Sequence, residues 1–199
     1  MSNSNSDPSF VLSASSVNAA TEKLLAELKV RARIRLNSLG DADPAIVKHA
    51  QWISKRRRWP LPPEWKLHHA FNIVAAELGF RDWEHARVVL SGLAKRGDDL
   101  GGFWHDFGCE ALFNHWFARY DEAKQLQTQG DYWLFPYGKQ FIVVDAHYVR
   151  TIKLDPESDL WPPVQRDLAS SYGSDGWRAL CAARLTVTRG LLPLTPGKF

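Results

Sequence analysis

The apolar residues of this chain change their spacing near residue 98, and that change restricts what the chain can fold into. Before it they recur at steps of three and four: Leu25, Leu28, Ala32, Leu36 and Leu39, then Ile46, Ala50 and Ile53. Leu67, Ala70, Phe71, Val74, Ala75 and Leu78 follow, and then Trp83, Ala86, Leu90 and Leu93. Such steps place side chains on one face of an α-helix. They predict helices over 18–39 and from Pro44 to about Arg58, with a helical hairpin over 64–96. After Asp98-Asp99-Leu100-Gly101-Gly102 the pattern is different. Tyr132–Phe135 and Gln140–Val144 are aromatic and β-branched and flank Pro136-Tyr137-Gly138-Lys139, which predicts a β-hairpin. Helices are predicted around it at 108–118, at 120–129, from Asp145 to Lys153, and from Gly176 to Leu185 behind an Asp175 cap. The fold class is therefore α+β, with a mainly helical N-terminal part and a C-terminal part built on a β-hairpin and packed helices. The expected organisation is a Ser/Asn-rich flexible tail over 1–16, a helical domain over 17–97 and a small α+β domain over 98–199, with Leu191–Phe199 extended.

Local punctuation supports these boundaries. Asp43-Pro44 combines a side-chain acceptor for the first free N–H groups with a residue whose φ already suits a first helical turn. Gly40 stops the helix before it. Gly79 followed by Phe80 fits a left-handed helix ending closed by a hydrophobic contact, and Asp82 caps the helix that follows. Only Gly79 to Asp82 separate the two helices of the hairpin, so they must pack closely, as in a helix-turn-helix.

The formal charge of +3 conceals a segregation. Residues 21–60 hold ten basic and four acidic side chains, a balance of +6, and residues 98–160 hold eleven acidic and five basic, a balance of −6. Opposed charge suggests either a basic face for an anionic partner or two halves that face one another. Two cysteines, Cys109 and Cys181, are too few for a disulfide-stapled scaffold. No apolar run is long enough to span a bilayer, and no leader pattern opens the sequence, so a cytoplasmic protein without a membrane partner is expected.

The order Leu67, His69-Ala70, Leu78-Gly79-Phe80, Arg81-Asp82-Trp83 resembles a small helical module with an LGF-x-x-W motif. That module belongs to uncharacterised bacterial proteins, some plasmid-borne and some labelled glyoxalase-related. The resemblance covers about thirty of the 199 residues and implies a bacterial origin, with a link to mobile elements. It implies no activity, and the repeated strand pattern of a glyoxalase metal site is absent from the sequence. Physically the motif is a helix stop, a cap and an aromatic wedge, and Gly79, Phe80 and Trp83 can serve simply to hold the hairpin together.

Laid on a helix-turn-helix template, the same segment would turn Arg81, Glu84, His85 and Arg87 toward a nucleic-acid groove, with Lys55, Arg56, Arg57 and Arg58 gripping phosphate. Trp52 and Trp59 bracket that basic run and interleave aromatic with cationic groups, whereas Trp104, Trp116, Trp133 and Trp177 read as core. The seven histidines raise the question of a metal. His105 and Cys109 stand four apart, with Asp106, Glu110 and His115 near in sequence, but the set matches no established ligand pattern, so no metal and no cofactor are expected. For catalysis the candidates are Asp145 and His147, with His115 as a third group, because a carboxylate beside an imidazole can orient it as a base. Phosphate-binding glycine loops, a G-x-S-x-G elbow and nuclease-type carboxylate pairs are absent. Three readings follow. The first is an accessory or regulatory protein that binds nucleic acid, DNA before RNA, through Lys55–Arg58, Arg81 and Arg87. The second is a non-catalytic interaction factor whose aromatic, acidic half docks another protein or a second copy of the chain. The third is a small enzyme using Asp145 and His147.

Overall fold

A computed structural model describes residues 8–189. Helix α1 runs from Pro8 to Gly40, α2 from Pro44 to Arg57, α3 from Leu67 to Glu77 and α4 from Trp83 to Leu90. A 3₁₀ turn at Phe107–Cys109 precedes strand β1 (His115–Phe117), helix α5 (Tyr120–Gln127), and strands β2 (Trp133–Tyr137) and β3 (Gln140–Val144). Helix α6 (Ala146–Thr151), a second 3₁₀ turn at Pro162–Val164 and α7 (Asp175–Val187) follow, an α+β arrangement.

The helix boundaries follow from the caps. The Asp43 carboxylate accepts the N–H of Ala45 at 2.9 Å, and Asp82 accepts that of His85 at 2.8 Å. At the end of α3, Gly79 has φ +84°, its N–H bonds the Ala76 carbonyl, and the Phe80 N–H bonds that of Ala75. This is a Schellman ending. A Cβ on Gly79 would lie 2.5 Å from the carbonyl carbon of Gly102. The Gly102 N–H bonds the Gly79 carbonyl at 2.8 Å, so the start of the second half is pressed directly onto the hairpin turn.

Several expected boundaries move. Residues 1–7 of the expected tail and the expected extended segment Leu191–Phe199 lie outside the described residues, but from Pro8 onward the chain is helical rather than a tail. Pro8 suits a first turn, and no glycine or further proline interrupts the chain until Gly40. Helix α4 stops at Leu90, short of residue 96, because Gly92 adopts φ +72° and the Leu93 N–H turns back to the Val88 carbonyl. Leu93, expected to point inward, is exposed. The helix expected at 108–118 is instead a 3₁₀ turn and a strand. Phe113, Trp116, Phe117 and Tyr120 mimic a helical period, yet His115–Phe117 pair with Phe141–Val143, and the ladder overrides the spacing. The last helix is capped by the Ser174 hydroxyl, one residue before Asp175.

The sheet order is β1-β3-β2, and both pairings are antiparallel. β1 and β2 therefore run parallel, joined by α5, with β3 inserted between them as a split βαβ unit. Alternation divides the sheet cleanly. Leu134 and Val143 meet Ala123 of α5 on one face, while Trp133, Phe135, Ile142 and Val144 enter the main core on the other. That core also contains Leu24, Leu28 and Ala32 of α1, Val74 of α3, Leu90 of α4 and Leu180 of α7, so one apolar cluster spans both sides of the Asp98–Gly102 segment. Helix α2 lies apart from it. Its Ile46, Ala50 and Ile53 form a small second cluster with Leu39 and Ile73.

Candidate functional site

Basic side chains in this molecule divide into those already answered by the protein and those left to solvent. Arg31 bonds Glu27 at 2.9 Å and also reaches Thr188, which fastens α1 to α7. Arg35 pairs with Glu77 at 2.9 Å. Arg184, 3% exposed, bonds the carbonyls of Phe103 and Ile152 and the carboxylate of Asp106. Carboxylate and carbonyl partners offset part of the cost of taking such groups out of water.

The C-terminal end of α2 is different. Lys55, Arg56 and Arg58 are exposed, and among the described residues none has a carboxylate within 4.0 Å. Lys48, Trp52 and Lys55 follow one another at steps of four and three, which sets them on one face of the helix. The Arg56 guanidinium lies 5.4 Å from the centre of the Trp52 ring. Arg58 occupies the left-handed region (φ 58°), with the Trp59 N–H returning to the Ser54 carbonyl at 2.8 Å. Glycine is the unstrained choice at such a helix end, so an arginine held there stores backbone strain. Arg57 has a structural partner: its guanidinium donates to the Phe80 carbonyl at 2.9 Å and ties α2 to the α3–α4 turn.

The turn itself is less open than its sequence suggests. Arg81 is exposed but pairs with Asp82 at 3.0 Å, and Arg87 forks onto both oxygens of Glu84. His85, expected to face a groove, is buried instead. Its Nδ1 accepts the Arg81 N–H at 2.9 Å, and its Nε2 lies 2.7 Å from the Asp99 carbonyl and donates to it. With both ring nitrogens occupied, it bridges the hairpin to the second half. Trp83 stacks on Phe71 with centroids 4.7 Å apart, and Phe80 is fully buried against Phe103. The LGF-x-x-W residues thus form packing and a crossing point.

The other candidates are dispersed. Asp145 caps α6, accepting the Tyr148 N–H at 3.0 Å, and among the described residues it makes no hydrogen bond to His147, which is exposed. His115 sits opposite Val143 in the ladder, beside Phe113 and Tyr132. His105 is half-buried and held 2.8 Å from the Tyr148 hydroxyl, which donates to the Trp104 carbonyl. Burial lowers the His105 pKa below 6.5, although Glu110 and Asp106 oppose the shift. Burial also pushes the Cys109 thiol up, which disfavours the thiolate that a metal would require. No group of three potential metal ligands occurs among the described residues.

Two features escaped sequence reading. Trp116, assigned to the core, is 45% exposed because β1 lies at the sheet edge. Asp167, fully buried, accepts the Tyr120 hydroxyl at 2.8 Å, the Lys124 ammonium at 3.0 Å and two backbone N–H groups. Burial alone would raise its pKa, but the Ser170 N–H, Tyr120 and Lys124 together hold it below the ordinary aspartate value. Tyr120 and Lys124 at i and i+4 were the available signal, but their partner lies more than forty residues away.

The basic and acidic segments do not neutralise one another. Among the described residues no ion pair joins 21–60 to 98–160. No helix among them is long and apolar enough to cross a membrane. No protein-family model matches the chain, and comparison with curated proteins and with solved structures gives no significant match.

Proposed function

We propose that this protein binds nucleic acid through the C-terminal end of α2, with Lys48, Lys55, Arg56 and Arg58 contacting phosphate and Trp52 offering a ring beside them. One observation carries this reading: these cations lack internal partners among the described residues, while Arg31, Arg35, Arg81, Arg87 and Arg184 have them. Unanswered cations that release counterions on contact with phosphate supply most of the affinity in such complexes. The strained Arg58 supports the same reading, since backbone strain tends to be kept where a side chain is needed.

Electrophoretic mobility shift with duplex DNA and with single-stranded RNA, at two salt concentrations, tests it. Lys55→Ala combined with Arg56→Ala should reduce the slope of log affinity against log salt by about two for duplex DNA, at roughly 0.9 per phosphate contact. Arg81→Ala with Arg87→Ala should leave binding unchanged. The reading fails if neither nucleic acid binds at low salt, or if the Lys55/Arg56 variant keeps both its affinity and its slope.

A further inference from the structure

A different surface, on the acidic half, has the features of a second binding site. β1 pairs with β3 on one side and, among the described residues, with nothing on the other. The far edge of β2 is covered, since the Leu134 N–H bonds the Arg166 carbonyl at 2.8 Å and the Leu168 N–H bonds the Leu134 carbonyl at 2.9 Å. Among the described residues the sheet therefore has one open edge, and an open edge is a template for another extended chain.

That edge is lined with aromatic side chains. The Trp116 ring stands almost perpendicular to that of Tyr137, at 88° and 5.1 Å between centroids, and His105 lies 6.1 Å from Trp116 and 5.1 Å from Tyr137. Trp116 is opposite Ile142 in the ladder, which sets it on the same face as Phe135 and Tyr137. The three rings pack edge to face, and Trp116 is the one with a large exposed surface. Phe107 and Phe113 extend the exposed apolar surface on the chain leading into β1, Phe113 being 85% exposed. Burial keeps His105 neutral at physiological pH, so it adds a ring beside Trp116 without adding positive charge. Residues 98–122, which include β1, hold six carboxylates against one cation, Arg119; Arg184 answers Asp106, and Arg119 lies near Asp121 and Glu122, which leaves Asp98, Asp99 and Glu110 without a cationic partner among the described residues. Glu110 is exposed and within electrostatic reach of His105.

We propose that the open edge of β1 docks an extended, basic segment of a partner protein, one of whose Lys or Arg side chains lies on the exposed ring of Trp116, which Tyr137 and His105 hold in place. The partner's main chain adds a strand beside β1, the ring face attracts its cation, and the surrounding carboxylates favour a basic sequence over an acidic one. This surface is distinct from α2 and opposite to it in charge, so the same negative field discourages nucleic acid here.

A random decapeptide display library selected on the full chain tests the proposal. Enrichment of Lys and Arg within β-favouring sequences is expected. Affinity for a selected peptide should fall about thirtyfold in Trp116→Ala, the size of one desolvated cation–π contact, and severalfold in Glu110→Gln, an exposed change that leaves the core intact. DNA mobility shift should be unaltered in both variants. The proposal is overturned if selection shows no basic enrichment, or if Trp116→Ala keeps full peptide affinity. Sedimentation showing a dimer that Trp116→Ala dissolves would assign the edge to a second copy and also overturn it.

Discussion

Helix α2 buries Ile46, Ala50 and Ile53 in a small cluster with Leu39 and Ile73, whereas β2 and β3 bury side chains on both faces, among them Trp133, Phe135, Ile142 and Val144 on the main core. Beneath α2 there is also a polar seam. His49, 4% exposed, has its Nε2 3.3 Å from Glu77, which pairs with Arg35, yet neither ring nitrogen makes a hydrogen bond. Beside the sheet the buried carboxylate is fully answered: Asp167 accepts four hydrogen bonds. The difference teaches how one chain can present two charged surfaces. The aromatic sheet and the long α1 supply the packing, so α2 can hold a row of unpaired cations and a strained Arg58 at its end without the fold depending on it.

The largest expected effect tests that division. Ile142→Ala in β3 should cost about 4–5 kcal/mol by chemical denaturation, the upper end for buried aliphatic truncations, and Ile53→Ala in α2 only about 2 kcal/mol, because its small cluster can close around the change. Comparable losses from the two would show that α2 is integral to the main core and break the comparison. Gly79→Ala, at the junction of the halves, should cost on the order of 3 kcal/mol, because it combines a positive φ with overlap of the Gly102 backbone. A loss confined to the midpoint of one half's transition would show that the halves unfold separately. Arg58→Gly should raise stability by roughly 1 kcal/mol while weakening DNA binding, since it relieves left-handed strain and removes a phosphate contact. An increase in stability with unchanged binding would leave Arg58 without a role at the surface. The smallest effect concerns pH. The pKa values of His105 and His69 are lowered, chiefly by burial, and the Nδ1 of His69 accepts the Lys66 N–H. Both histidines favour the folded state while neutral, so their contribution is present above pH 6.5 and declines as pH falls through their folded values. Thermal melts of His105→Gln should show a shallower loss of stability as pH falls below 6.5 than the parent protein.

Much of the helical half was legible because its signals are local. The Asp43 and Asp82 caps and the Gly79 ending, like the Asp145 cap in the second half, depend on residues within one or two turns, and all occur where spacing and side-chain chemistry place them. The Gly92 ending was equally local, but the Leu90–Leu93 spacing hid it. Residues 107–117 misled for a different reason. Their aromatic period imitates a helix, and only the partner strand Gln140–Val144 reveals that His115–Phe117 belong to a sheet. Of the candidate nucleic-acid residues, the sequence could list the cations but not their carboxylates. Arg81 and Arg87 proved to be paired on their own turn, and Arg57 to be spent on a carbonyl of another element.

By itself, then, the sequence determined where most helices start and stop, where the hairpin turns, and that +6 and −6 segments lie apart along the chain. Backbone capping and side-chain period act over a few residues, so a linear reading contains them. Tertiary structure alone decided which charges are cancelled, that His85 is a buried bridge, and that Trp116 stands at an open edge. Burial and ion pairing depend on groups brought together from distant parts of the chain, and their free energy is set only once those groups meet.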